Sequence, residues 1–353
     1  MDIALTNTHY FIFEALDENF SNGEAIYCIE SGNISENYDD ELGPSATLTA
    51  SMGLDENFNA KKIRIYSVLN EEKSLLRTFL VSTSKDTVSD DCKKVDITCY
   101  STLWPLSADK TEKRLFIPLG TNAIAEVKRI LSNYEMPVFI EDCGKATTED
   151  KDFEIGTSYI EVINYLLNTA GYTNLYVDEY GSYRAEAELL PEERAPTRFF
   201  DATDEGSVVE LEITSSIDLF NVPNVFVCYT NSADVDYVAT YENSNPESPT
   251  STANAYRNVL SESVTVSIDE NSQSNLDALY FDALYAQCKK NAAEAIKGYK
   301  TVEFKTPIYT PAFKECIQIK HPYILANVIE SGYSIELSTG GSMTHTTYEV
   351  VPI

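Results

Sequence analysis

The sequence predicts a mainly β protein of the α+β class, with two β-rich flanks around a small centre that contains helices. Short runs rich in Val, Ile, Thr and Tyr recur in the first 117 residues and again after residue 200. Between these flanks lie two amphipathic runs of helical period. The length of 353 residues suggests about two to three domains.

The first region, residues 1–117, consists of predicted strands separated by turns such as Asn22-Gly23 and Gly43-Pro44. Seven short segments are rich in β-branched residues or alternate in polarity: Tyr10–Ala15, Ala25–Ile29, Ala46–Ser51, Lys62–Val68, Leu75–Ser82, Lys93–Tyr100 and Arg114–Ile117. Strands of this length and spacing indicate an antiparallel barrel or sandwich.

The middle region, residues 118–200, is predicted to be a small α+β domain. Gly120-Thr121 precedes a predicted helix over Asn122–Tyr134, and Gly156-Thr157 precedes a second helix. The two helix starts have similar sequences. Shared capping rules explain this more simply than an internal repeat, although a repeat stays open as the alternative.

The second helix has the clearest local signals in the chain. Ser158 and Glu161 have the spacing of a capping box, and Gly171 follows where a helix needs a residue that tolerates positive φ. Two runs rich in Tyr and Val come next, Asn174–Asp178 and Ser182–Glu186, with a glycine between them. This arrangement predicts a β-hairpin.

The last region, residues 201–353, is predicted to be a second β domain. It contains an irregular corner at Asp218–Asn224, a surface loop at Tyr241–Asn258, and a long helix over Asn275–Lys297 that begins after Ser274. We expect the loop to be a contact element that only a neighbouring protein orders. The predicted strands are Ser207–Ser215, Asn224–Thr230, Val264–Ile268, Thr301–Lys305, Glu315–Lys320, Ala326–Ser331, Tyr333–Ser338 and Thr344–Val350.

The charge of the chain excludes several classes of partner. There are 26 Lys and Arg against 56 Asp and Glu, which gives a net charge of −30. A surface this acidic repels nucleic acids and anionic membranes, so neither is expected to bind. No apolar run approaches the ~18 residues of a membrane span.

The seven cysteines, at positions 28, 92, 99, 143, 228, 288 and 316, form no Cys-x-x-Cys pattern. We therefore predict free thiols in a reducing compartment and no zinc site. The three histidines, His9, His321 and His345, lack metal-ligand spacing, and no nucleophile or phosphate-binding motif occurs. A glycosidase pair among the many carboxylates is the alternative. We predict a protein that is not an enzyme and has no cofactor or metal.

Several motifs occur in a fixed order between residues 95 and 260. They are a strand ending in Cys-Tyr-x-x-Leu, two Gly-Thr helix starts, a Val-Asp-x-x-Gly-x-Tyr-Arg-Ala-Glu hairpin, an Asp-Leu-Phe-Asn-Val-Pro-Asn corner, and the polar loop at 245–252. This order resembles the siphophage tail protein family, the baseplate or tail-tip hubs of phages and prophages of Gram-positive bacteria. The motif residues are then structural: Gly120, Thr121, Gly156, Thr157, Asp178, Gly181, Arg184, Asp218, Phe220, Asn221, Pro223 and Asn224.

The resemblance implies two β-barrel domains related to the tail-tube fold, and a homotrimer whose six barrels match the six-fold tube. Its expected partners are the distal tail protein, the tail tube protein, the tape-measure protein, and tip or receptor-binding proteins. The protein would be made in the host cytoplasm and end in the virion tail tip. Many relatives continue into a peptidoglycan-degrading region and are called tail-associated lysins. Because this sequence ends at residue 353, lytic activity is not expected here.

Three copies of a −30 chain would place −90 around a channel through which DNA passes. If enough acids face this lumen, the wall repels DNA within the ~8 Å screening length, and the genome slides without adsorbing. The alternative is that the acids coat the outer surface. Two other functions stay open: a carbohydrate-binding or peptidoglycan-degrading tail protein, and the hub of a contractile injection system. We expect aromatic strand edges and apolar helix faces to supply the subunit contacts.

Overall fold

The computed structural model describes residues 8–17, 20, 23–89, 91–147, 149–203, 212–218, 220–230, 237–264 and 276–353. The chain divides into two compact units. The first comprises Met1–Glu188, Lys305–Lys314 and Ser331–His345, and the second comprises Leu189–Phe304, Glu315–Glu330 and Thr346–Ile353. The predicted boundaries after residues 117 and 200 stay a prediction.

The first unit contains twelve strands and three helices of its own among the described residues. They are β1 (His9–Leu16), β2 (Gly23–Ile26), β3 (Ile29–Asn37), β4 (Ser45–Met52), β5 (Lys62–Leu69), β6 (Glu72–Val88), β7 (Lys93–Tyr100), α1 (Trp104–Ala108), β8 (Leu115–Ile117), α2 (Ala123–Leu131), β9 (Val138–Ile140), β10 (Lys151–Phe153), α3 (Tyr159–Ala170), β11 (Tyr176–Val177) and β12 (Tyr183–Ala185).

The large sheet of the first unit is antiparallel, with strand order β3-β4-β7-β6-β5-β1-β2. Alternate side chains such as Ile34, Leu48, Ile65, Phe79 and Ile97 are buried and form its core. Alternating burial of this kind is what the sequence pattern predicts for a sheet with one covered face. The mainly β class is therefore confirmed. Among the described residues no recorded pairing closes this row into a barrel, so closure stays a prediction.

The two predicted helices of the central region are present. The Asn122 side chain accepts a hydrogen bond from the amide of Ala125, and α3 begins at a Ser158 cap and ends at Gly171 with φ of 76°. Both helices pack their apolar faces on each other and on the small strands around them. The apolar faces of α2 and α3 are buried within the unit, so the expectation that these faces supply subunit contacts is wrong.

The second unit holds further strands of the thirteen-stranded sheet that also contains β1–β7, and a smaller sheet covered by a helix. Its elements are β13 (Arg198–Asp201), β14 (Thr214–Ile217), β15 (Val225–Tyr229), β16 (Val238–Glu242), β17 (Val259–Ser263), α4 (Leu276–Ala295), β18 (Lys300–Thr306), β19 (Cys316–His321), β20 (Ile324–Glu336) and β21 (Met343–Glu349), with β18, β20 and β21 contributing residues to both units.

The strands of the large sheet in this unit have the order β14-β18-β21-β20-β19-β13, and the core on them includes Val302, Phe304, Ile317 and Val328. The small sheet, β16-β15-β17, pairs β15 with β17 in parallel. Helix α4 covers one face of it, packing Leu284, Cys288 and Ala292 against Phe226 and Ala239. The predicted long helix is confirmed over the described residues.

Two predicted strands and one predicted cap fall largely outside the described residues. They are 207–211 of the first strand, 265–268 of the second, and the cap at 274–275 of the long helix. The sequence pattern missed β16 and β17, which border the predicted loop. All five residues of β17 are exposed. A strand with no buried face carries no alternating pattern, which explains why the prediction failed there.

Candidate assembly surface

The two Gly-Thr motifs build the same local structure before α2 and α3. Gly120 and Gly156 have φ of 81° and 91°, a region that side chains with a Cβ rarely adopt. The hydroxyls of Thr121 and Thr157 each donate to the carbonyl three residues earlier, at 2.7 and 2.9 Å. Glycine allows the turn, and threonine closes it.

A second threonine, distant in the sequence, hydrogen-bonds each turn: Thr147 bonds the turn at Gly120, and Thr111 bonds the turn at Gly156. The amide of Gly120 donates to the Thr147 carbonyl at 2.9 Å, and the Thr147 amide donates to the Thr121 carbonyl at 2.8 Å. Thr111 makes the equivalent pair of bonds with Gly156 and the residue after it, at 2.9 Å each. Helix capping alone does not require this exchange. The similarity of the two motifs therefore reflects a matched pair of structures, and capping rules explain only part of it.

Asp178 organises the hairpin between β11 and β12. One carboxylate oxygen accepts from the amides of Tyr180 and Ser182 at 3.0 and 2.9 Å, and the other accepts from Nε of Arg184 at 2.7 Å. The Asp178 residue is buried. These bonds satisfy a buried carboxylate completely enough to make it a structural anchor.

Gly181 lies where the hairpin meets the segment before α1. Its φ is 81°, and a Cβ there would meet a methyl carbon of Thr102 at 3.0 Å. The Thr102 hydroxyl donates to the Gly181 carbonyl at 2.6 Å, and the Tyr183 hydroxyl donates to the Thr102 carbonyl at 3.0 Å. Thr78 of β6 donates to the carbonyl of Glu179 at 2.9 Å. The hairpin is thus fixed to the large sheet of its own unit.

A buried ion pair lies beside this hairpin and was not predicted from the sequence. Glu36 on β3 and Arg77 on β6 are hydrogen-bonded, and Arg77 also donates to the Tyr333 hydroxyl at 2.7 Å. Burial by itself would lower the pKa of the Arg77 guanidinium, but the Glu36 carboxylate together with the hydroxyls of Tyr333 and Tyr38 more than offsets this, and the pKa is raised. An arginine inside the apolar run Leu75–Leu80 was the available signal.

A small cavity of about 180 Å³ opens between the hairpin and the buried ion pair. Its walls include two ion pairs and one stacked aromatic pair: Glu36–Arg77, Asp178–Arg184, and Tyr176–Phe313 with ring centroids 3.8 Å apart. Each of these four charged groups is paired with its opposite. This is the pattern of a structural brace, because an acid–base site needs a group poised to exchange protons.

The Asp218–Asn224 corner forms a rigid turn ahead of β15. One Asp218 oxygen accepts from the amides of Phe220 and Asn221 at 3.0 Å each, and the other accepts from Nδ2 of Asn221 at 2.7 Å. These hydrogen bonds lower the pKa of the Asp218 carboxyl, and those from Asn221 have the largest effect. Pro223 is half-buried, and Asn224 is buried at the start of the small sheet.

The 241–258 segment is a loop, as predicted, but it packs on its own polar side chains. Asn243 donates through Nδ2 to the hydroxyls of Ser248 and Thr250 at 2.9 and 3.3 Å, and all three residues are buried. Asn254 donates to the Ser248 carbonyl at 2.8 Å. The expectation that only a neighbour orders this loop is wrong, because its own hydrogen bonds define its conformation.

The structure therefore separates the predicted motif residues into three groups. The Gly-Thr turns and the hairpin belong to the first unit, and the corner belongs to the second. The histidines have structural surroundings: His345 is buried with its Nε2 2.8 Å from the Thr306 hydroxyl. Within the described ranges no group of three or more potential ligands has metal-site geometry, and no helix is long and apolar enough to cross a membrane.

The fold defined above is that of phage tail proteins. A tail protein from Neisseria meningitidis MC58 is similar over 97% of this chain and 96% of its own, with a TM-score of 0.69 and 14% identity. The 43 kDa tail protein of prophage MuSo2 from Shewanella oneidensis is similar over 96% and 98%, with a TM-score of 0.68 and 10% identity. The likeness to phage tail proteins expected from the sequence motifs is thus confirmed, and the two closed barrels stay a prediction.

A third similar structure comes from a secretion system. The E. coli c3393 protein, a component of the type VI secretion system that is similar to T4 tail proteins gp27 and gp5, matches 92% of this chain and 76% of its own. The TM-score is 0.54 and the identity 9%. No protein-family model matches the sequence, and no curated protein matches it. At these identities the likeness establishes the fold.

Proposed function

We propose that this chain is the hub of a phage tail tip. Three copies form a ring that joins the tail tube and the distal tail protein ring to the tip proteins, around a channel for the tape-measure protein and the genome. The observation that carries the proposal is the fold shared with tail proteins over nearly the full length of both chains. A row of paired strands with a buried apolar core in each unit supports the paired-barrel arrangement that such a ring needs.

Location in the particle tests this role directly. Antibodies raised against the chain should label one end of purified tails, and mass spectrometry of those tails should detect the chain at about three copies per tail tip. Deletion of its gene should give heads without working tails. Tails that assemble normally without the chain would contradict the proposal.

The charge excess fits a conduit for DNA. With a net charge of −30 per copy, a luminal wall that carries part of the excess repels the genome and prevents adsorption. The purified oligomer should leave DNA mobility unchanged at low salt, where electrostatic binding is strongest. Retardation of DNA would refute the luminal assignment.

The second candidate function is the hub of a contractile injection device. The similarity to a type VI secretion component favours it. The particle that contains this chain decides between the two: a sheath protein around the tube supports the injection device, and a bare tube supports the siphophage tail.

We infer that the chain has no lytic activity. Glu36, Arg77, Asp178 and Arg184 beside the small cavity are paired and buried or half-buried, which supports a structural role for them. The purified chain should not clear a suspension of host peptidoglycan, whereas clearing would assign it to the lysin alternative.

A further inference from the structure

Two aromatic rings project from the second unit where the corner meets the loop. Phe220 is 76% exposed and Tyr256 is 81% exposed, and the two rings are stacked with centroids 6.1 Å apart and planes at 21°. Exposed apolar residues flank them, with Ile217 54% and Val259 42% exposed. Large aromatic side chains that cluster on a surface are typical of interface anchors.

The backbone beneath both rings is held by buried or half-buried amides. Asn224, which is 1% exposed, donates through Nδ2 to the Tyr256 carbonyl at 3.0 Å, and its Oδ1 accepts from the Asn258 amide at 2.8 Å. Asn258 in turn donates to the Phe220 carbonyl at 3.1 Å. The rings are therefore presented on a preorganised scaffold, which lowers the entropy cost of burying them against a partner.

A cation is next to one of the two rings in the sequence. Arg257 follows Tyr256, its side chain is exposed, and no carboxylate in the part of the chain described above forms an ion pair with it. We call Phe220, Tyr256 and Arg257 the aromatic–arginine patch. A partner that complements this patch offers apolar area edged by negative charge.

A second copy of this chain meets that requirement. Copies with a net charge of −30 repel one another, so association is favoured where the local charge on one side is positive. In a three-membered ring each copy uses two different surfaces, because a cyclic trimer has heterologous interfaces. The patch on one copy can then meet an acidic surface on the next. A neutral glycan offers no charge to pair with the exposed guanidinium.

We propose that the aromatic–arginine patch is the anchor by which one copy of this chain docks on an acidic surface of the next. This inference rests on the proposed ring. It adds to that proposal the residues that make the contact, and it gives a role to the Asp218–Asn224 corner and the 241–258 loop as the scaffold of the patch.

The test is the self-association of the full chain, measured by sedimentation velocity over a range of concentrations. The double variant Phe220→Ala/Tyr256→Ala should weaken association at least about 100-fold, as expected for two anchor residues. Arg257→Glu should weaken it about tenfold and reduce its sensitivity to salt. Tyr323→Ala is the matched control, because Tyr323 is 90% exposed, lies in the same unit and also contacts a ring, that of His321.

The control should associate as the wild type does, within about twofold. All three sites are exposed, so circular dichroism should show the wild-type spectrum and confirm that the variants fold; Arg257→Glu provides a second test that removes no apolar surface. Equal association of the wild type and the patch variants would overturn the inference. A wild-type chain that stays monomeric would also overturn the inference. Patch variants that lose binding to host cell-wall glycans but keep wild-type self-association would overturn it too. Labelling of purified tails tests the hub role separately from these results.

Discussion

The buried Glu36–Arg77 pair gives the sharpest test of how the first unit is held together. The side chains of Glu36 and Arg77 are 3% and 4% exposed. Truncation by Glu36→Ala leaves the Arg77 guanidinium buried, with the Tyr333 hydroxyl as a remaining neutral partner. Uncompensated buried charge is among the largest single costs to a fold.

Glu36→Ala should lower the free energy of unfolding by about 3–5 kcal/mol, the range for removing one member of a buried ion pair. Replacing both members with apolar residues of similar size, Glu36→Leu with Arg77→Met, should recover most of that loss because no charge is then desolvated. The matched control is the surface pair of Arg114 and Asp152, whose side chains are 67% and 44% exposed. Asp152→Ala should cost less than about 1 kcal/mol.

Urea unfolding followed by tryptophan fluorescence measures these values. The chain has one tryptophan, Trp104 in α1, and it belongs to the same unit as the pair. Its emission therefore reports on that unit. If Glu36→Ala were no more costly than Asp152→Ala, the pair would not brace the sheet, and the reasoning from its burial would be refuted.

Three further predictions concern single positions. Gly156→Ala should lower the free energy of unfolding by ~1–2 kcal/mol because φ is 91° there. The control is Gly298→Ala, at a glycine without positive φ and with open space around its Cβ position, and it should change this free energy by less than ~0.5 kcal/mol. Equal effects of the two substitutions would contradict the strain argument. Asn224→Ala removes two partly buried hydrogen bonds and should cost ~1–3 kcal/mol. The loss should appear as faster limited proteolysis of the neighbouring loop, and unchanged proteolysis would show that the scaffold does not depend on Asn224. The hydrogen bond from Lys320, with two from Thr203, lowers the pKa of Asp201 to about 2. Because this folded-state pKa lies below the unfolded-state value of about 4, the stabilisation is present above about pH 4 and is lost as the pH falls toward 2. Carboxyl NMR titration should show that low midpoint, and Lys320→Met should raise it; a midpoint that does not move would exclude Lys320 as its main cause.

Local sequence signals predicted those elements whose ends are fixed by nearby residues. The Ser158 cap and the Gly171 stop specify α3 through bonds within a few residues of each end. The hairpin at Gly181 was predictable for the same reason, since its turn needs positive φ. The sequence pattern also predicted the alternating burial of β4, β5 and β7, but it missed β3.

Elements that depend on distant residues were not predictable. Helix α1 has only five residues and no side-chain cap, so no helical period identifies it. The parallel pairing of β9 with β12 joins segments on either side of α3. The salt bridge between Glu36 and Arg77 exists because β3 and β6 fold into one sheet, and no local pattern pairs these two residues. Motif order carried the fold assignment, because local patterns do not determine which strands become neighbours.

The central claim is that this chain forms a three-membered ring at the tip of a tail. Electron cryomicroscopy of purified tails tests it most directly. The proposal predicts density for three copies related by three-fold symmetry around the tail axis, with a channel through the ring and the aromatic–arginine patch at the boundary between copies. A single copy attached at the side of the tail, away from the axis, would contradict it.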